Sequence, residues 1–415
     1  MIKDTVYKIL RKSEKYTKTD MIYLAKGGFW VTLGQILSSL STFLLAIAFA
    51  NLLPKDIYGQ YKYILSVLGI LSMTTLSGVD AAVSRDIARN LEGSFFSSLK
   101  MKIRWGLLGS LCSLIIGTYY LYKDNYTLAI AFAIIAFFVP IFESGSLYQT
   151  YFTGKKKFKK LTKYYSWAQI SAATAIFLSI YFTDNIFIIL LAYFVTYTLI
   201  RYFYILLILK KYSLNKETDK SSASYGKHLS FANLISTIGN QLDKILLFNH
   251  VGAVELAIYS FAIAPLEQFK SLIKPINTLA SPKFATADIK EIKKTIFKKM
   301  AIFSFILAIV AIIYIILAPY LYKIIFPQYL EAVKYSQIFA ISLVTLPLLT
   351  IISIFQSQKM LKEIYIFNIA SSISQIIITI TMIYYYGLMG AILARVLQRF
   401  FNLILSSTLL KIHKS

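Results

Sequence analysis

The sequence predicts an all-α polytopic membrane protein, and three observations carry that prediction. Of the 415 residues, 57% are hydrophobic and only 15% charged, with a mean hydropathy of +0.63, whereas soluble domains carry about 25% charged residues. Apolar segments of about 20 residues, long enough to cross hydrocarbon as a helix, recur along the whole chain. The short connections between them are alternately rich and poor in Lys and Arg, as in a chain that crosses the bilayer repeatedly.

About twelve such segments follow one another: Gly27–Ala50, Tyr58–Val79, Ile103–Tyr122, Thr127–Tyr148, Tyr164–Phe182, Ile186–Leu209, His228–His250, Ala253–Asn277, Met300–Phe326, Leu330–Phe355, Ile364–Tyr386 and Leu388–Leu410. The stretches Lys8 to Lys26, Arg85 to Arg104, Lys155 to Lys163, Lys210 to Lys227 and Lys283 to Lys299 are rich in base. The opposite set offers only Lys55, Lys62, Lys123, Lys323 and Lys334. The positive-inside rule then places both termini in the cytoplasm and gives an even helix count. The first apolar run is too long for the core of a cleaved signal and reads as a retained helix.

The longest hydrophilic interruption is KKYSLNKETDKSSASYGK, Lys210–Lys227. It divides the chain into an N-terminal lobe (1–213), a cytoplasmic linker (214–227) and a C-terminal lobe (228–415), each lobe with six segments. Sliding one half over the other sets Gly28 on Gly226, Asn51 on Asn249 and Tyr61 on Tyr259, a faint match of the kind parallel transporter repeats leave.

Polar residues inside these segments are the candidates for function, because a charge in hydrocarbon costs roughly 2.5–3.5 kcal/mol on insertion scales and normally faces a cavity or a partner. In the seventh segment Asn233, Ser236, Asn240, Asp243, Lys244 and His250 fall on one side of a helix. In the first, Gly28, Thr32, Gln35, Ser38, Ser39 and Thr42 do the same, as helix packing through small residues also would. The fourth carries Glu143 just after Pro140, and the sixth carries Arg201. These two make either a structural ion pair or a functional one. The eighth holds Glu267 after Pro265, with Lys270 and Lys274 beyond. The eleventh aligns Asn368, Ser371, Ser372, Gln375 and Thr379, and the twelfth aligns Arg395, Gln398, Arg399, Asn402 and Ser406. Two arginines so placed need anionic company, either Glu267 or Glu363 or a substrate headgroup. A planar guanidinium suits phosphate.

Several functions are disfavoured. The net charge of +25 lies in short runs between apolar segments and not on a hydrophilic domain, which points to anionic membrane lipids and not to nucleic acid. There is no phosphate-binding G-x-x-x-x-G-K-[ST] motif, so this chain is not expected to hydrolyse ATP. Three scattered histidines and the single Cys112 offer no metal cluster, disulfide or nucleophile, and no cofactor is expected. The outer loops are too short for the catalytic residues of a glycan polymerase, so an enzyme is not expected.

The segments KGGFWVTLGQ, ANLLPKDIYGQY, SRDIARN, GNQLDKILLFNHVGAVELAIYSFA and YYGLMGAILA resemble the polysaccharide repeat-unit flippases (O-antigen or capsule translocases) of the multidrug/oligosaccharidyl-lipid/polysaccharide (MOP) exporter superfamily. Asn51 stands where that family often has Arg, and Leu53-Pro54 replaces its Leu-Gly. The resemblance implies two pseudo-symmetric six-helix lobes around a central cavity in the bacterial inner membrane. By alternating access they would pass an undecaprenyl-diphosphate-linked oligosaccharide to the outer leaflet for lipopolysaccharide or capsule synthesis. On that reading Lys244, Arg201, Arg395 and Arg399 form the route of the anion, and the amides Gln35, Asn240 and Gln375 contact the glycan. Asp243, Glu267 and Glu143 couple transport to H+ or Na+ or gate it, and other glycan-assembly membrane proteins are expected partners. The alternatives are a cation-coupled multidrug exporter of the same superfamily and a multi-pass glycan polymerase or ligase.

Overall fold

A computed structural model describes residues 21–212, 214–286 and 288–413. The basic stretch before Met21 and the side chain of Lys274 lie outside the described residues. Helix is the dominant structure, and no strand occurs among the described residues. In order the helices are α1 (Met21–Leu52), α2 (Lys55–Leu71), α3 (Val79–Ala88), α4 (Gly93–Tyr122), α5 (Tyr126–Ser144), α6 (Leu147–Gly154), α7 (Phe158–Phe182), α8 (Ile186–Lys211), α9 (Lys220–Ala232), α10 (Leu234–His250), α11 (Ala253–Thr286), α12 (Ile289–Ile325), α13 (Ala332–Ala340), α14 (Leu348–Ser357) and α15 (Leu361–Ile412). Helix is what a bilayer demands, since a backbone in hydrocarbon must satisfy its own hydrogen bonds.

Each predicted apolar segment coincides with helix. By length and composition six helices can cross a membrane, or eight if two bent pairs each count as one span. The 52-residue α15 is broken at Gly387 (φ 52°, ψ −127°), between the eleventh and twelfth predicted segments. The second and tenth segments are bent by 51° and 40° across short breaks. In the seventh, read as one helix from the sequence, α9 passes into α10 at Asn233, which keeps right-handed helical dihedrals and i→i−4 hydrogen bonds on both sides.

By packing the described chain forms two compact units, Leu40–Ala257, and Ile258–Ser415 together with Met1–Ser39. The first unit is built on the α4–α5 hairpin. A Cβ on Gly106 would stand 2.7 Å from the Pro140 Cα, and one on Gly109 would stand 2.5 Å from the Thr74 Oγ1. Bare Gly106 therefore lets the α4 and α5 backbones meet, as small residues do in membrane helix pairs, and bare Gly109 leaves room for the Thr74 side chain. Ser110 and Ser113 tighten the pair by donating to the carbonyls of Ala136 (2.5 Å) and Phe132 (2.7 Å).

At the base of this unit α9 lies on α3. Ser230 Oγ accepts from the Gly78 amide (2.9 Å), and Ser222 Oγ donates to the fully buried Asp86 (2.6 Å), which also accepts from Ser94 (2.8 Å). Lys102, 1% exposed, pairs with Asp80 at 2.6 Å. Lys155 pairs with Glu92, and Asn215 accepts from the Glu92 amide at 2.9 Å. In the second unit Tyr322 donates to the Phe261 carbonyl (2.8 Å), and Phe326 and Tyr329 pack on the Phe261 ring.

Candidate functional site: two cationic clusters within the helices

The first cluster belongs to the Leu40–Ala257 unit. Tyr193, Tyr197 and Arg201 recur every four residues on α8 and so share one face. Arg201 Nη1 donates to the Phe142 carbonyl at 2.8 Å. Its guanidinium lies 4.3 Å from the Phe142 ring and 4.8 Å from the Tyr197 ring, both favourable cation–π distances. Phe142, Tyr193 and Tyr197 pack together with centroids 5.2–5.9 Å apart. Tyr197 donates to Gln169 Oε1 at 2.6 Å, and Gln169 Nε2 stands 3.5 Å from Thr42 Oγ1.

Glu143 and Arg201 do not form the ion pair weighed from the sequence. Glu143 accepts from Ser72 Oγ at 3.3 Å, and among the described residues no carboxylate lies within 4.0 Å of Arg201. The reason is local: on α5 the Glu143 carboxylate is directed to Ser72 Oγ, and it is the Phe142 backbone carbonyl near the helix end that reaches the guanidinium. One of the five guanidinium donors is thus used by the protein. Gly145 shapes the same spot, since a Cβ there would stand 3.1 Å from Arg201 Cβ and 3.3 Å from the Tyr202 ring.

The second cluster lies in the unit that contains Ile258–Ser415. Arg395 and Arg399, one turn apart on α15, both reach Glu267 Oε1 of α11, at 3.4 Å and 2.5 Å. Lys270 approaches the other carboxylate oxygen at 3.6 Å. Arg399 also donates to Ser342 Oγ (2.8 Å) and stacks 4.4 Å from the Phe339 ring. Three cations therefore share one carboxylate, and the four side chains carry a surplus of two positive charges. Of the two acids weighed for the arginines, Glu267 is the partner; Glu363 instead contacts His413 Nδ1 at 2.6 Å.

The remaining candidates are dispersed. Asp243 is buried on α10 and accepts from the Lys244 amide at 2.9 Å, while Lys244 Nζ donates to Gln241 Oε1 at 2.8 Å. Gln241 in turn lies against Gly69 of α2. Asn240 is exposed; Gln35 on α1 and Gln375 on α15 are half-buried. Part of the polar face around Gln375 serves packing: Gln398 donates to the Ser371 carbonyl (2.8 Å) and Asn402 Oδ1 (3.0 Å), and accepts from Ser374 (3.1 Å). The ring cluster beside Arg201 is absent from the sequence candidates, although the Tyr-x-x-x-Tyr-x-x-x-Arg spacing of α8 carried its signal. No group of three or more metal-ligating side chains occurs among the described residues.

Among the described residues, helices of bilayer length that hold cationic, polar clusters give the build of a multi-pass membrane protein. Its fold is similar to those of solved MOP-superfamily transporters. The lipid II flippase MurJ in an inward closed conformation superposes with a TM-score of 0.69 at 15% identity, covering 93% of this chain and 87% of that one. A multidrug resistance MATE family transporter of the MOP superfamily, outward-facing, gives 0.56 at 14% identity with 93% and 95% covered. A MOP-superfamily transporter from Pyrococcus furiosus Vc1, described for the reverse polarity of its binding pocket, gives 0.55 at 13% identity with 94% and 95% covered. No curated protein sequence matches the chain. The chain belongs to the polysaccharide biosynthesis protein family, whose sequence profile matches residues 24–287. The family expected from its sequence segments is the one found, and these matches are to transporters and flippases, not to enzymes.

Proposed function

We propose that the protein is a flippase that carries an undecaprenyl-diphosphate-linked oligosaccharide repeat unit from the cytoplasmic to the outer leaflet of a bacterial inner membrane by alternating access. The observation that carries this reading is Arg201: a cation within the helices, without a carboxylate inside 4.0 Å among the described residues, set on an aromatic floor with an amide at its edge. Such an arrangement suits a diphosphate on the guanidinium and a sugar face on the rings. The surplus of positive charge around Glu267 supports a second station for the same anion.

On this reading the two lobes, 1–213 and 228–415, are repeats joined by the 214–227 linker, with both termini cytoplasmic. Lys244, Gln35, Asn240 and Gln375 line the path. Asp243 and Glu143 serve H+ or Na+ coupling or gating, and other glycan-assembly membrane proteins hand over the substrate. An inside-negative potential would favour outward movement of each negative charge by about 2.3 kcal/mol per 100 mV.

A cation-coupled multidrug exporter is the alternative on the same fold. It would need a site that attracts a cationic substrate, and the surplus of positive charge that Arg395, Arg399 and Lys270 place around Glu267 speaks against that. The test is surface glycan in cells carrying Arg201→Ala, Arg395→Ala or Arg399→Ala, with membrane insertion checked in parallel. Loss of glycan from inserted variants is expected, and full output from all three would overturn the anion route.

A further inference from the structure

The hydrophilic stretch that composition marks as a tether is laid down along the Leu40–Ala257 unit from Asn215 to Ser230. Asn215 holds the near end. Its Oδ1 accepts from the Glu92 amide at 2.9 Å, its Nδ2 donates to the Asn90 carbonyl at 2.5 Å, and its own amide donates to Glu92 Oε2 at 3.2 Å. Asp219 then meets Arg89 at 3.2 Å. On α9, Ser222, Gly226 and Ser230 recur every four residues and so share one face. Ser222 donates to Asp86 at 2.6 Å, a Cβ on Gly226 would stand 2.8 Å from the Val79 Cα, and Ser230 Oγ accepts from the Gly78 amide at 2.9 Å.

The two sides of this contact are held by different forces. Helix α3 is fixed from behind: its Val79, Val83 and Ile87 are buried in one apolar core with Leu147, Tyr151 and Phe152, and withdrawing them would expose that surface to water. Among the described residues no side chain of α9 joins this core, and Tyr225 and Phe231 of α9 are 49% and 60% exposed. The hold of the strap on α3 is instead polar. On release Asn215, Asp219, Ser222 and Ser230 would exchange protein partners for water, which costs far less than a bond lost in an apolar medium. Asp86, fully buried beside Ser222, would keep its bond from Ser94 and gain water in place of the other. Its carboxylate is thus satisfied with the strap on or off, and the contact has two stable states.

We infer that residues 214–232 form a releasable clasp, in which α9 lifts from α3 as one helix while α3 stays in the core, with the Ser222–Asp86 hydrogen bond as the catch. The segment between α8 and α10 then has a short, fixed form and a long, free one. That release is a step of the transport cycle rests on the flippase reading.

The test uses the full-length protein in phosphatidylcholine nanodiscs and amide hydrogen exchange read by peptide mass spectrometry. Because α9 opens locally, its peptides should exchange at least about tenfold faster than those of α3. Ser222→Ala, which removes one hydrogen bond to a carboxylate, should speed α9 by about a further tenfold and leave α3 unchanged. Gly226→Val, which wedges carbon against Val79, should do the same without touching Asp86. Exchange of α9 in step with α3, or variants that speed both alike, would overturn the clasp. For the cycle, Arg89→Cys and Asp219→Cys in a Cys112→Ser background are bridged by a bis-maleimide with a disulfide spacer, and flipping of an undecaprenyl-diphosphate oligosaccharide is followed in vesicles. Bridging should lower flipping to the protein-free rate, and reduction of the spacer should restore it; full flipping by the bridged protein would overturn release as a step. The two readings fail separately. Independent exchange of α9 in a protein that does not flip the lipid leaves the clasp standing and sinks the flippase reading. Flipping with α9 exchanging in step with α3 does the reverse.

Discussion

Glu267 holds Arg395, Arg399 and Lys270 together, and Glu267→Gln removes the charge while keeping the shape. In the wild type one carboxylate oxygen accepts from Arg399 at 2.5 Å and faces Arg395 at 3.4 Å, with Lys270 at 3.6 Å from the other. At an effective dielectric of about 20, unit charges about 4 Å apart interact by roughly 4 kcal/mol. The Glu267 side chain is 29% exposed and the two arginines 23% and 13%, so the site lies between a solvated pair, worth about 0–1 kcal/mol, and a buried one, whose rupture costs about 3–5 kcal/mol. We therefore expect Glu267→Gln to destabilise the protein by about 2 kcal/mol, midway between those limits. Removing one cation as well, in Glu267→Gln/Arg399→Gln, should restore part of that loss. The assay is thermal unfolding of the purified protein in one detergent, read by intrinsic fluorescence. An unchanged melting temperature in the single variant, or a double variant whose loss is the sum of the two singles, would refute the shared-carboxylate account.

Three further outcomes follow from other contacts. Asp80→Ala leaves Lys102, 1% exposed and paired at 2.6 Å, as a buried cation without that partner; a loss of about 3–5 kcal/mol should appear as reduced folded yield by size-exclusion chromatography, partly rescued by Lys102→Met. Gly145→Val places carbon against Arg201 and Tyr202; it should lower stability by about 1–3 kcal/mol through overpacking and weaken binding of a polyprenyl phosphate by the folded fraction about tenfold, as losing a charge-assisted hydrogen bond does; binding equal to wild type would show that Arg201 does not depend on that gap. At the end of α8, burial would raise the Tyr212 phenol, but the hydrogen bond from Lys160 Nζ (2.6 Å) and the neighbouring Lys157 outweigh it and hold it below its usual value. Lys160 is held above its own usual value by the same hydrogen bond. The tyrosinate contribution is lost as pH falls through the lowered Tyr212 value and the lysine contribution as pH rises through the raised Lys160 value, so the ionised pair belongs to the alkaline window between them. An alkaline absorbance titration should lose its earliest tyrosine in Tyr212→Phe, and an unchanged curve would contradict the pairing.

Much of this was legible from the sequence because hydrocarbon imposes a simple rule. Apolar length places the helices, and the Gly387 break falls between the eleventh and twelfth predicted segments. Glu267 as a partner for Arg395 and Arg399 was among the readings the sequence left open, because two cations in a span need a counter-charge. The choice between Glu267 and Glu363 was not legible, since it depends on how α11 and α15 pack. Arg201 was found as a charge, but its setting was not. Helical period puts Glu143 and Arg201 at similar depth; that Glu143 is directed to Ser72 while the Phe142 carbonyl meets the guanidinium is decided by how α5 packs against its neighbours. The docking of α9 through Ser222, Gly226 and Ser230 onto α3 escaped because it involves small residues that hydropathy hardly weighs.

The most direct measurement of the central claim is flipping itself. Purified protein is reconstituted into vesicles with a fluorescent undecaprenyl-diphosphate oligosaccharide, and the fraction reached by a membrane-impermeant quencher is followed in time. Wild-type protein should equilibrate the lipid between leaflets, Arg201→Ala should slow this at least about tenfold by loss of a charge-assisted contact, and Arg201→Lys should keep part of the rate because the charge remains. Wild-type vesicles no faster than protein-free vesicles, or Arg201→Ala as fast as wild type, would contradict the account.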